Sequence, residues 1–299
     1  MQTNAKSLYF EAKGKLMLFG EYVVMRGVPS LAFPIKMGQT LEISASEHFV
    51  WESFEVNQLW FSLKFNASLQ IEETNNLAVA EKLVAILGDL KNHNPQLFSK
   101  PLHFVMRANF NRNWGFGSSA TMISLLSQWS GIDAYTLNDS HFGGSGYDIA
   151  CATARNPILY SKDTRDVKSI EIPRSITNQL LFVYLGKKQN SQQEVTKFSD
   201  LVIPAQKLVE ITNLILAATQ AFDIEHFESL IDAHELHLSE ILQRPSLKSI
   251  EFSDYDYSIK SLGAWGGDFF MATCRNIDEA RMYFIEKGKE VAFTWDMLV

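Results

Sequence analysis

From Gln179 onward the chain reads as strand, helices, strand, strand, helix, strand, and few folds accept that order. QLLFVYLG is an apolar, β-rich run, and helical patterns fill the interval from about Ser191 to Ser239. YSIKSLGA and GDFFMATC then read as strands, NIDEARMYFIEKG as a helix and EVAFTW as a last strand. This is the order of a ferredoxin-like split sandwich. Upstream, the stretch from Ser7 to about Phe65 breaks into strand-length runs: SLYFEA, KLMLFGEYVVM, SLAFPI, TLEISA, FVWESFEV and LWFSLKF. Asn76 to about Asn92 follows as a helix, with Leu77, Ala80, Val84 and Leu87 on one stripe and Pro95 beyond its end. LHFVMRANF is a strand, NRNWGFG a loop, SSATMISLLSQW a helix, IACATA a short packed helix and PILYSK a strand. With a boundary near Ser175, the reading is an α+β chain of two domains, 1–175 and 176–299.

Composition excludes several classes. Across 299 residues, 46% are hydrophobic and 20% charged, the balance of a packed globule rather than a disordered chain. The net charge of −7, with acidic residues spread along the chain, argues against nucleic-acid binding. Cys151 and Cys274 are far apart and form no CxxC, which supports neither a zinc cage nor a disulfide framework. The N-terminus lacks a basic segment followed by an apolar one, and no 18-residue window is free of polar groups. The expectation is a cytoplasmic protein without a membrane partner; a homodimer is left open.

Chemistry concentrates at glycine. Eight of the sixteen glycines fall in three clusters: Gly115 and Gly117; Gly143, Gly144 and Gly146; Gly263, Gly266 and Gly267. The first cluster opens a helix, where free amides and the helix dipole favour an anion, and a phosphate is the natural guest. Ser118 and Ser119 add hydroxyls for that phosphate or for a magnesium ion riding on it. A tight turn with serine caps explains the same residues equally well. GFGSSA also fits the dinucleotide fingerprint GxGxxA, with Asp139 about 20 residues downstream, but NRNW separates the glycines from the preceding strand, no second strand ends before a ribose-binding carboxylate, and no GKS or GKT completes a Walker loop. Ser145, His141 and Asp148 lie too close in sequence to converge as a hydrolytic triad, and GGSGY lacks the second glycine of the nucleophile elbow. Asp148 suits a carboxylate that orients a substrate hydroxyl and takes its proton, or a helix cap. His234 and His237 in HELH are spaced i, i+3, which fits an exposed helix face better than zinc. Trp114 and Trp265 read as core.

Three blocks together resemble the GHMP small-molecule kinases: GKLMLFGEYVVMRGVPSLAFPI (Gly14 to Ile35), NRNWGFGSSA (Asn111 to Ala120) and SLGAWGGDFFMAT (Ser261 to Thr273). The resemblance implies a two-domain GHMP kinase fold, with a ribosomal protein S5-like N-terminal domain and a ferredoxin-like C-terminal domain. It implies ATP, with its phosphates on Gly115, Phe116, Gly117, Ser118, Ser119 and Ala120, and Mg2+ held with help from Ser119 and, as a stand-in for the usual glutamate, Asp139. Lys15 would lie near the transferred phosphoryl group and Asp148 would face the acceptor hydroxyl. Glu21, Gly144, Ser145, Gly146, Lys187, Lys188, Ser191, Gly266 and Gly267 would contact the acceptor.

The acceptor that this resemblance implies is a small anionic alcohol or phosphate monoester of the mevalonate pathway, phosphomevalonate or mevalonate, because GEY and GSGYD look closest to the phosphomevalonate kinases. Lys13, Lys15, Lys187 and Lys188 supply local positive charge for such an anion. A diphosphomevalonate decarboxylase-like lyase and a non-catalytic sensor on the same scaffold are the alternatives. The chain departs from the family pattern at Asn111, Phe116, Trp265 and Asp268.

Overall fold

The computed structural model describes residues 7–187, 194, 196 and 198–299. The chain divides into two compact units interleaved along the sequence. One comprises Met1–Gly14, Met37–Arg112 and Phe116–Gly143; the other comprises Lys15–Lys36, Asn113–Gly115 and Gly144–Val299. A cut at Ser175 falls inside the second unit.

In the first unit, the C-terminal half of strand β2 (Ser30–Ala45) pairs with β6 (Leu102–Ala108), which runs parallel to β3 (Phe49–Glu55). β4 (Gln58–Phe65) and β5 (Ile71–Thr74) continue the sheet antiparallel. One face is aromatic: Trp51 stacks on its cross-strand neighbour Phe104 at 5.2 Å, and Phe49 stacks on Phe65 at 5.3 Å. Two helices belong to this unit's core. Helix α1 (Leu77–His93) begins where the Asn76 side chain accepts a hydrogen bond from the Val79 amide. It buries Ala80, Leu83, Ile86, Leu87 and Leu90, so the apolar stripe is rotated from the expected one and Leu77 in the first turn is exposed. Helix α2 (Ser118–Ser130) brings Trp129 edge-on to Phe104 and Phe98. Its first turn is tied to β2 by the buried Thr121 hydroxyl, which donates to Gln39 Oε1 at 2.5 Å. A further helix, α3 (Ala134–His141), was not apparent in the sequence; Asp133 caps it by accepting from the Thr136 amide.

The second unit contains the last part of β1 (Leu8–Phe19) and the first part of β2, which pairs with β7 (Ile158–Ser161) and through it β8 (Asp166–Ser169). Helix α4 (Tyr147–Thr153) precedes β7, and α5 (Arg174–Thr177) precedes the second sheet. That sheet consists of β9 (Leu180–Tyr184), β10 (Ile259–Leu262), β11 (Phe269–Thr273) and β12 (Ala292–Thr294), in the spatial order β10-β11-β9-β12 with every neighbour antiparallel. Numbered from β9 this is 2-3-1-4, the arrangement of the ferredoxin-like sandwich expected from the order of elements. Helices α6 (Ala205–Ala218), α7 (Ile224–Leu242) and α8 (Leu247–Glu251) lie between β9 and β10, and α9 (Ile277–Glu286) between β11 and β12. Phe252, Tyr255, Phe270 and Phe284 pack together where α8 and α9 meet the sheet.

The expected strand KLMLFGEYVVM stops early. β1 ends at Phe19, and Val23–Arg26 forms a single 3-10 turn. Gly20 causes the stop: its φ is +105°, and a Cβ there would lie 2.8 Å from the Ser30 Cα, so only glycine lets the turn lie against the start of β2. SLAFPI and TLEISA fuse into the single 16-residue β2.

Candidate active site

Lys15 is the hub of a cluster of charged and polar groups with shifted ionisation. It projects from β1, half-buried, and its Nζ donates to the Gly115 carbonyl at 2.9 Å. The same ammonium lies 5.3 Å from the centre of the Tyr147 ring. Burial works against its charge but is outweighed by the hydrogen-bonded Tyr147 hydroxyl and by the Asp148 and Asp268 carboxylates, so its pKa lies above the ordinary lysine value. Tyr147 is pushed up to about 12 by burial and by Asp148, against the opposing pull of Lys15. The buried Cys151 thiol is also driven up, by burial and then by Asp148. Near neutrality, therefore, Lys15 is a fixed cation and Tyr147 and Cys151 are neutral.

Local sequence explains how these groups are held. The GSGYD loop is anchored by the buried Tyr160, whose hydroxyl donates to the Ser145 carbonyl at 2.8 Å. Gly146, in the left-handed region at φ +83°, starts α4 and puts Tyr147 and Asp148 in its first turn. Gly115 has φ +66°, and a Cβ on it would come within 2.1 Å of Asp268 Oδ2, so this position requires glycine both for its dihedral angle and for its contact.

The glycine loop expected to bind an anion leads into helix α2. α2 starts at Gly117 (φ +87°) with no side-chain cap hydrogen bond, although two serines stand at its first positions. The first amides of this 13-residue helix have no partner within the helix itself, an end that suits an anion such as a phosphate. Phe116 is buried and packs on Phe110, while Ser118 is half-buried and Ser119 exposed. A resident metal fits less well. Among the described residues, no group of three or more His, Cys, Asp or Glu side chains could hold one, and Asp139 is exposed on α3.

Other expected residues lie elsewhere. Glu21 is not open to a ligand: its side chain is 2% exposed and accepts from Lys260 Nζ at 2.9 Å. Gly144 is exposed, Gly266 is half-buried, and Gly267 is buried with its amide bonded to the Ala264 carbonyl at 3.1 Å. Lys187 is exposed, 3.7 Å from Glu251 Oε1. Lys188 and Ser191 lie outside the described residues. Trp114 packs against Tyr184, Phe269 and Phe293, and Trp265 is 6% exposed, both consistent with core.

The HELH segment corrects the expectation of an exposed face for both histidines: His234 is fully buried, whereas His237 is half-buried, 2.9 Å from Lys207 Nζ. The reason is a polar core that the sequence did not disclose. His234 Nε2 accepts from the Gly20 amide at 3.3 Å, and its pKa lies well below the ordinary value because burial and the nearby Lys260 and His237 disfavour the cation. Beside it, Lys260 is shared between Glu21 and Glu235, the latter at 3.5 Å. Burial pushes Glu235 up to about 7, with Lys260 opposing and Glu21 adding to the shift.

The sequence matches no family model and no curated protein. The structure is similar to the mevalonate kinase of Methanococcus jannaschii, with a TM-score of 0.71 and 19% identity over 97% of this chain and 98% of that one. It is similar to the Streptococcus pneumoniae phosphomevalonate kinase in complex with phosphomevalonate and AMPPNP (0.71, 17%, 96% and 99%). It also resembles the Lactococcus lactis galactokinase complexed with galactose (0.67, 12%, 97% and 93%). Among the described residues no helix is long and apolar enough to cross a membrane.

Proposed function

Starting from a chain that has the two-domain α+β fold of the GHMP small-molecule kinases over nearly its whole length, we propose that it transfers the γ-phosphoryl group of ATP to a small anionic acceptor of the mevalonate pathway, phosphomevalonate or mevalonate. The observation that carries this reading is Lys15, held as a cation on the Gly115 carbonyl beside Asp148. Phosphoryl transfer needs positioning and neutralisation of spreading negative charge more than covalent chemistry. Lys15 supplies the neutralising charge. The uncapped first turn of α2, with Ser118 and Ser119, supports the nucleotide phosphates. Any Mg2+ would be carried by those phosphates rather than by a resident protein site, with Ser119 and Asp139 as the side chains that the sequence pattern offers to help hold it.

Asp148 accepts the acceptor's hydroxyl proton as the new oxygen–phosphorus bond forms and the bond to ADP breaks. The exposed Lys187 favours an anionic acceptor, and the mevalonate and phosphomevalonate kinases among the similar structures are consistent with one. A non-catalytic ligand sensor is the second reading, favoured by the Asp268 carboxylate against Gly115, where it opposes a phosphate.

An ADP-release screen over mevalonate, phosphomevalonate, diphosphomevalonate, homoserine and galactose, with product mass spectrometry, separates these readings. Phosphorylation of either of the first two is the expected result. Carbon dioxide from diphosphomevalonate indicates a decarboxylase, and nucleotide affinity without any turnover indicates a sensor. Gly117→Val should weaken ATP at least tenfold in calorimetry, because Gly117 has a left-handed φ and a branched side chain there would displace the first turn of α2. Unchanged ATP affinity in a folded Gly117→Val protein would remove the loop from the nucleotide site.

A further inference from the structure

We infer that Asp268 is a positioning residue that holds the Gly115 turn and, through the Gly115 carbonyl, the Lys15 ammonium in place and links both to the end of β9; this rests on the kinase reading above. Asp268 is an unexpected residue at its position. It has φ +52°, a conformation that glycine adopts without strain and other residues rarely do, and it is 9% exposed, a poor setting for a carboxylate. A glycine would satisfy the backbone, so what the aspartate adds is its side chain.

That side chain is directed at the active-site cluster. Its Oδ2 occupies the space where Gly115 would carry a Cβ, and Gly115 in turn presents its carbonyl to Lys15 Nζ. The main chain of Asp268 is fixed at both polar groups: its amide donates to the Lys187 carbonyl at 2.8 Å, and its carbonyl accepts from the Leu185 amide at 2.8 Å. A connected path therefore runs from Leu185 and Lys187 through Asp268 and Gly115 to Lys15. Facing Lys15 are Tyr147 and Asp148 from α4 and Asp268 from the segment before β11, with Cys151 one turn further along α4. Asp148 is assigned to the acceptor's proton, and Asp268 acts on the lysine through the Gly115 turn it lies against.

Two measurements test the assignment, one of them independent of catalysis. Acylation of Lys15 by an amine-reactive ester at pH 9, followed by peptide mass spectrometry, reports how firmly the amine is held as a cation. Asp268→Asn and Asp268→Gly should each raise Lys15 labelling several-fold, while labelling of the exposed Lys13 stays constant. In steady-state kinetics with the acceptor found in the screen, Asp268→Gly should lower kcat at least tenfold and leave the KM for ATP within about threefold. In a Lys15→Met background the same substitution should cost less than twofold, because the group it positions is already gone. Asp268→Gly relieves the backbone strain, so a folding defect is not expected to mask the result. Unchanged Lys15 labelling, or kinetic losses that multiply independently, overturns the proposal. Absence of phosphoryl transfer to every acceptor refutes the kinase reading instead, and labelling alone then decides the role of Asp268.

Discussion

Replacing Lys260 by methionine is expected to cost the protein about 3–5 kcal/mol of stability, the range for removing one partner from a buried ion pair. Lys260 has no exposed side-chain surface and serves two carboxylates, Glu21 at 2.9 Å and Glu235 at 3.5 Å, both almost fully enclosed. The neighbouring His234 is a poor substitute for the charge, since burial disfavours its cation and its Nε2 already accepts from the Gly20 amide. Methionine matches the volume but leaves two acids without a counterion. The loss should also depend on pH with a defined sign. Burial raises both carboxyls above the ordinary glutamate value, so in the acid-to-neutral range the folded state holds protons that the unfolded chain has released, and this contribution weakens as pH rises. Without Lys260 opposing it the shift grows. Denaturant melts should therefore show a penalty that widens from pH 5 to pH 8. A small penalty, constant over that range, contradicts this account of the cluster.

Asp148→Asn is expected to reduce kcat by two or more orders of magnitude, about 3 kcal/mol or more in the barrier, with nucleotide affinity retained. Asparagine keeps the shape and can still accept the Ile149 amide, which Asp148 Oδ1 does at 3.2 Å, so α4 should start normally. What it cannot do is take a proton from the attacking hydroxyl. Calorimetric titration with a non-hydrolysable ATP analogue, run beside single-turnover kinetics, distinguishes the two effects. Near-normal turnover reduces Asp148 to a residue of the first helical turn.

The parts of this structure that were legible in the sequence are those where one local signal dominates. The C-terminal sheet follows from element order, because each strand is a short apolar run between turn residues, and α1 follows from its helical period and from Pro95 beyond its end. Where the sequence misled, a distant contact overrode the local pattern. The run after Phe19 has strand propensity, yet the close approach of Gly20 to Ser30 turns it into a 3-10 segment. His234 and Glu235 look like the polar face of α7, but Lys260 arrives from β10 and makes that face interior. Asp268 read only as an interruption of a glycine-rich segment, because its significance lies in Gly115, more than a hundred residues away in the chain. Motif resemblance pointed to Lys15 and Asp148, whereas nothing in the sequence pointed to the Tyr147 side chain beside Lys15.

The interleaved chain path has a consequence for biosynthesis. The first unit uses nothing beyond Gly143, so all of its segments have been synthesised before half of the chain has been made. Lys15–Lys36 must wait for partners that come with Gly144–Val299, and Glu21 meets its counterion Lys260 only 239 residues later. Such sequence separation slows closure of the second unit, and until then its apolar strands remain exposed to other chains. A nascent chain stalled near Ile250 would carry one finished unit and an unburied GEY segment, and that species is where a chaperone would be needed most.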